Sequence, residues 1–260
     1  MKNALRELWE YSYLILSFAR RDVRARYKQT VLGAAWAILQ PLSLMVVFTL
    51  VFDKVARIPT DGMPYPLFSY STLIFWSFFS ASVSQGTFAM TANANLVRKI
   101  YFPRETLLFA VLLSAGLDLA IASVMLTVLL FFYGVAVTWT VLWVPVILSL
   151  EVLFVFSLVC VTAAVHVYFR DIGHALTLGL QLWMFATPVA YPVSVVPDSV
   201  RSLYLLNPMA PMMDGYRRAI LYGQPPDLPR LGIVLVCVVI LLGFSYSGFK
   251  RAERTFADVI

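Results

Sequence analysis

The sequence predicts an all-α, polytopic membrane protein with a single transmembrane domain over residues 1–260. Three observations predict it. The chain is 60% hydrophobic and 13% charged, against about 25% charged residues in soluble domains. Its mean hydropathy is +0.80, and a soluble fold of that composition would expose large apolar patches and aggregate. The apolar residues also fall into runs near the ~20 residues that an α-helix needs to cross the hydrocarbon. The net charge of +6 does not point to nucleic acid. The cations cluster beside the apolar runs, where phospholipid headgroups and peripheral partners lie.

Residues 1–29 read as a cytoplasmic interface helix and a basic block. Leu5, Leu8, Trp9, Tyr13 and Leu16 recur at helical spacing, with Arg6, Glu7 and Glu10 between them. That is the pattern of an amphipathic helix lying in the membrane interface. It is not a secretory signal, because no small-residue cleavage site follows an apolar core. The block Arg20, Arg21, Arg24, Arg26 and Lys28 then abuts a stretch without charge until Asp53.

Six transmembrane helices are expected within residues 31–249, at 31–52, 66–84, 106–133, 139–165, 175–191 and 231–249. The third and fourth are long and must tilt or extend beyond the bilayer. The fifth is short, closes with Thr187-Pro188 and Tyr191-Pro192, and is expected to break or kink. Residues 192–230 follow as an external segment with helical stretches at 194–206 and 209–222. Met209, Ala210, Met212, Met213, Ala219, Ile220 and Leu221 would let the second dip into the outer half of the membrane as a re-entrant helix. Such helices are tolerated where they line a cavity; a surface cap is the other reading. Residues 250–260 form a basic cytoplasmic tail. With both termini cytoplasmic, the inner segments hold fourteen of the twenty Lys and Arg residues, as the positive-inside rule requires. No internal repeat supports an inverted-repeat transporter.

Two segments carry a more specific signal. Arg21, Asp22, Arg24, Arg26 and Tyr27 run directly into Leu32, Gly33, Trp36, Ile38 and Pro41. Before the last apolar run stand Asn207, Pro208 and Met209, followed by Tyr216, Arg217, Leu221 and Gly223. Together they resemble the ABC-2 type membrane subunits that export polysaccharides, those of O-antigen export most of all, and the resemblance covers essentially the whole chain. It implies a homodimer with two copies of a separate ABC ATPase, moving a polyprenyl-diphosphate-linked polysaccharide across the bacterial inner membrane. It implies ATP and magnesium in the partner subunit and no cofactor in this chain. Relatives that export capsular polysaccharide or teichoic acid share these motifs, and Gln40 before Pro41 leaves the polymer open.

Candidate working residues follow. Asn93, Asn95, Leu96, Val97, Arg98, Lys99 and Tyr101 lie in a loop too polar to span and too apolar for a solvated linker. A short helix there rests either on lipid or, as the resemblance implies, in an ATPase cleft as the coupling helix. Arg20, Arg21, Arg24, Arg26 and Lys28 either set topology or also attract a lipid diphosphate at the inner interface. Tyr65, Phe68, Tyr70, Trp76 and Tyr191 are either interfacial belt aromatics or a glycan path, since flat rings stack on sugar C–H faces without fixed register. Asn207, Pro208, Tyr216 and Arg217 are, as the resemblance implies, candidate external gate residues; a surface cap with no role in transport is the other reading. Asp118 and Glu151 are carboxylates within spans, each costly in lipid. They serve as a functional polar site or proton relay, or as hydrogen-bonded glue between helices.

Other chemistry is not indicated. The sequence has no G-x-x-x-x-G-K-[ST] phosphate loop and no HExxH. His166 and His174 have no neighbouring ligand cluster, and Cys160 and Cys237 lie in apolar runs rather than a CxxC pair. The chain is therefore expected to be a transport subunit rather than an enzyme. An ABC-2 drug exporter would favour an uninterrupted apolar cavity. A membrane glycan-lipid transferase would need carboxylate or histidine constellations in an interfacial loop, and none is evident.

Overall fold

The structure, a computed structural model, describes residues 10–260. The expected interface-helix residues Leu5, Arg6, Glu7, Leu8 and Trp9 lie outside them. The regular secondary structure of the described residues is helical, with no strand among them. In chain order the helices are α1 (Ser12–Tyr27), α2 (Trp36–Phe48), α3 (Tyr65–Ala92), α4 (Ala94–Lys99), α5 (Glu105–Phe132), α6 (Trp143–Tyr168), α7 (Ile172–Phe185), α8 (Asp198–Tyr204), α9 (Met209–Leu221), α10 (Leu228–Ala252) and α11 (Phe256–Val259).

Among the described residues, five helical stretches are long and apolar enough to cross a membrane: Gly33–Val55, Tyr65–Ala92, Glu105–Phe132, Trp139–Tyr168 and Leu228–Thr255. They correspond to the first four and the last of the expected spans. The second runs two turns past its expected end at residue 84. Ser82 and Thr87 lower the local hydropathy, but both are buried against neighbouring helices rather than exposed. Thr87 Oγ1 donates to Thr162 Oγ1 on α6 at 2.7 Å.

The expected fifth span differs. Its helix, α7, has 14 residues, about 21 Å of rise, against a hydrocarbon core of about 30 Å. It stops because Pro188 has no N–H to continue the ladder and forces the preceding residue away from the helical region. The freed carbonyls are taken up by side chains from elsewhere. Asn207 Nδ2 donates to Ala186 O at 3.1 Å, and Arg217 Nη2 donates to Pro188 O. Thr72 Oγ1 donates to Val189 O at 2.8 Å, and Tyr65 Oη donates to Ala190 O at 2.7 Å.

α3 is the central element and packs against α2, α5, α6, α7 and α9. Between helices in lipid the driving force is dispersion and hydrogen bonding rather than water exclusion, so close approach matters most. Gly86 provides it: a Cβ there would lie 2.5 Å from Val159 Cγ1 on α6. Phe79 of α3 stacks on Phe154 of α6 and meets Trp183 of α7 edge-on. α9 is buried along most of its length between α3, α6 and α10, with Met209, Ala210, Met212 and Met213 all inaccessible. It therefore belongs to the bundle rather than capping its surface. α1 contains the basic block as far as Arg26 and packs along α5, with Ala19 buried and Leu14 and Phe18 packed against the core. Tyr13 and Leu16 stay exposed.

The Tyr65 hydroxyl is thus a carbonyl partner inside the bundle. Tyr65→Phe should destabilise the protomer by about 1 kcal/mol, read as a lowered unfolding midpoint in detergent. An unchanged midpoint would show that Ala190 O finds another donor.

Candidate functional site

A groove of about 670 Å³, apolar over most of its lining but carrying a stripe of polar groups, opens between the end of α1 and helices α2, α3, α5 and α7. Its hydroxyls come mainly from one stripe of α3. Ser77, Ser80 and Ser84 recur at three- and four-residue spacing and share one face, with Gln85 beside them. Gln40 on α2 and Thr177 and Gln181 on α7 add exposed polar groups. Trp36 and Trp76 contribute indole surfaces.

One ion pair joins two expectations that the sequence left separate. Arg26, from the basic block, reaches Asp118 on α5. The same guanidinium donates to Gln85 Oε1 and, at 3.4 Å, to Ser114 Oγ. Tyr27 Oη donates to the other Asp118 oxygen at 2.8 Å. Asp118 lies thirteen residues after the first residue of α5, about 20 Å along it. Helix α1 therefore carries a cation deep along the bundle, and Asp118 neutralises it. With that pair neutralised, the polar groups of the lining are amides and hydroxyls, set among apolar side chains and edged by indoles. Such a lining suits a neutral, hydroxyl-rich ligand better than a bare anion.

The remaining block residues behave differently from Arg26. Arg20, Arg21, Arg24 and Lys28 are exposed, with Arg21 paired to the adjacent Asp22 at 2.8 Å. These four stay accessible to a headgroup, whereas the Arg26 guanidinium already has protein acceptors. Glu151 is not part of the groove cluster. It is fully buried on α6, and neither carboxyl oxygen has a hydrogen-bond partner among the described residues. No hydrogen bond among the described residues links it to Asp118.

The expected path aromatics separate into two groups. Tyr65, Phe68 and Tyr70 are buried in the protomer core and present no face to the groove. Tyr70 Oη donates to Ala122 O on α5 at 3.1 Å, and Arg217 lies over the Phe68 ring at 3.8 Å. Trp76 does line the groove. Tyr191 is half-buried at the hairpin end, where its hydroxyl donates to Phe185 O at 2.6 Å. The expected gate residues converge on the break after α7. Asn207 accepts from Trp183 Nε1 at 3.0 Å and donates to Thr187 Oγ1 at 2.9 Å. Pro208 leads into α9, where Tyr216 packs on Phe75 of α3 and Arg217 is fully buried.

At the opposite, basic end of the bundle, Asn93 Nδ2 donates to Ala89 O at 2.8 Å, where α3 gives way to α4. Within α4, Val97 is buried and Leu96 half-buried, so the apolar pair faces the protein. The exposed surface is Asn95, Arg98 and Lys99, continued by Ile100, 55% exposed, and Tyr101, 87% exposed. Sequence reasoning missed Gln85, Gln181 and the serine stripe, although polar residues at helical spacing inside an apolar run were a usable signal.

A double-mutant cycle tests the groove pair. Asp118→Ala should cost about 1–3 kcal/mol by leaving Arg26 uncompensated. Adding Arg26→Met should recover part of that loss in the same detergent unfolding assay. Additive losses would mean that the two residues do not interact.

Residues 13–221 match the sequence pattern of the ABC-2 type transporter family. The chain is 35% identical over 263 residues, covering all of both proteins, to the O-antigen export system permease protein RfbA of Myxococcus xanthus. It is 25% identical to the protein of the same name from Klebsiella pneumoniae over 95% of each chain. It is also 23% identical to the polysialic acid transport protein KpsM of Escherichia coli, over 90% of this chain and 91% of that one. By its match over most of its length and by these relatives, the chain belongs to the ABC-2 type transporter family.

Proposed function

We propose that this protein is the membrane-spanning subunit of an ATP-driven exporter that moves lipid-linked O-antigen polysaccharide across the bacterial inner membrane. The names of the relatives support the substrate class. The observation that carries the reading is the groove. Gln40, Thr177 and Gln181 are exposed on apolar helices. Polar side chains at such positions avoid lipid and mark a water-filled path or a helix partner. A second copy related by a two-fold axis would turn these faces toward each other and enclose a passage. The glycan would then run along amides, serines and the Trp36 and Trp76 edges, rather than over Tyr65, Phe68 and Tyr70.

In this reading both termini are cytoplasmic, because the basic residues around α1, α4 and the chain end then face the inner leaflet. The 186–191 break and the buried α9 complete a sixth crossing beside α7, with α9 re-entrant from outside. Arg20, Arg21, Arg24 and Lys28 would hold the lipid diphosphate at the inner interface, where arginine binds phosphate bidentately. The exposed face of Asn95, Arg98, Lys99 and Tyr101 would seat a separate ATPase that binds ATP and magnesium. The KpsM relative favours a second reading, export of a capsular polysaccharide through the same groove.

Reconstitution tests the proposal. The chain alone should hydrolyse no ATP, and co-expression with its ATPase should give a two-plus-two complex that moves lipid-linked glycan into vesicles. Gln40→Leu with Gln181→Leu should preserve that assembly and cut export about tenfold, equivalent to ~1.4 kcal/mol. Undiminished export by this variant would place the glycan elsewhere.

A further inference from the structure

The end of the chain does not simply leave the bundle. After α10 it makes a turn at Glu253–Thr255 and folds back as α11. α11 packs against α4, the short helix with the exposed basic face. Phe256 is fully buried there, with ring contacts to Phe249 of α10 at 5.6 Å and Tyr168 of α6 at 6.4 Å. Tyr168 and Thr255 also share a hydroxyl hydrogen bond. α4 has six residues, far fewer than the ~12–15 an isolated helix needs to persist in water. Its rigidity comes from what lies behind it.

A chain of polar contacts runs from α4 through this segment. Arg104 Nη2 donates to Val97 O in α4 at 3.4 Å. The Arg104 backbone N–H donates to Glu253 Oε1 at 3.0 Å, and its guanidinium lies 3.7 Å from the same oxygen. Lys250 bridges Glu253 at 2.9 Å and the fully buried Glu105 at 2.7 Å. Glu105, at the start of α5, also accepts from Tyr246 of α10 at 3.2 Å. These contacts tie α4, through Arg104 at the end of the α4–α5 linker and Glu253 in the turn after α10, to both α5 and α10.

We infer that residues 250–260, through Glu253 and Lys250, transmit the ATPase's movement from α4 to α5 and α10. Glu253 and Lys250 are positioning residues in this role, and neither touches substrate or nucleotide. The inference rests on the proposed docking of an ATPase on α4. It adds that the last segment couples hydrolysis to transport, because a push on α4 that is not stiffly backed would be absorbed by its flanking loops.

The test uses the complete complex with its ATPase in vesicles, measuring ATP hydrolysed and lipid-linked glycan transported in the same preparation. Glu253→Gln keeps side-chain volume and removes the charge at the centre of the chain. It should leave ATPase co-purification and hydrolysis near wild type while lowering glycan transported per ATP about fivefold or more, the low end of a typical coupling free energy. Glu253→Asp should retain most of the ratio. Should Glu253→Gln fail to assemble, Lys250→Gln, at a partly exposed position, is read in its place. A merely structural role would lower the yield of complex and leave the ratio intact, and that result overturns the inference. If the wild-type chain binds no ATPase, the proposed function falls together with it.

Discussion

In hydrocarbon a backbone carbonyl without a donor costs several kcal/mol, because no water can take the donor's place. The end of α7 frees such carbonyls at residues 186–190, and the protomer is organised around supplying them with donors. Asn207, Arg217, Thr72 and Tyr65 come from α3, from α9 and from the residues just before α9, and all converge on this break. That requirement explains why α9 is inside the bundle and why Arg217 is buried although it is a cation. It also explains why the aromatic start of α3 is packed rather than lining a passage. A hairpin held by carbonyls at a helix break is anchored where the break is, so any motion of the hairpin also moves the end of α7.

The groove is governed by a second compensation. Arg26 is carried along the bundle by α1, and it is tolerated there because Asp118, Gln85 and Ser114 receive it. One cation and one anion cancel, and the remaining polar groups of the lining are neutral amides and hydroxyls among apolar side chains and indoles. A polymer of hydroxylated rings meets many equivalent weak contacts on such a surface and no deep electrostatic trap. A fixed unpaired charge would hold an ionic group and slow a sliding chain. Arg20, Arg24 and Lys28, for which no ion pair is seen among the described residues, are exposed along and just after α1; in the proposed function they are the ones left to hold the lipid headgroup.

How far the sequence carries can be judged from particular residues. The helices Tyr65–Ala92, Glu105–Phe132, Trp139–Tyr168 and Leu228–Thr255 were legible, because composition and run length alone separate a span from a soluble helix. The break at Thr187-Pro188 was legible too, since proline's missing donor is a property of the residue. Its consequence was not, because the length left to α7 and the donors for its carbonyls depend on residues more than twenty positions away or on α3.

The sequence by itself determined the class, five of the six expected spans, the separation of basic from apolar segments and the family motifs, all of which follow from local composition and spacing. Only the tertiary structure decided which polar residues work together. Arg26 and Asp118 lie 92 positions apart, and hydropathy cannot pair a charge near one end of the chain with a carboxylate in mid-span. It likewise decided that Tyr65, Phe68 and Tyr70 are packing residues and that Ser77, Ser80 and Ser84 face a cavity. Aromatic and hydroxyl side chains can each face lipid, a helix or a groove, and the neighbour they meet is set by helix packing rather than by their own chemistry.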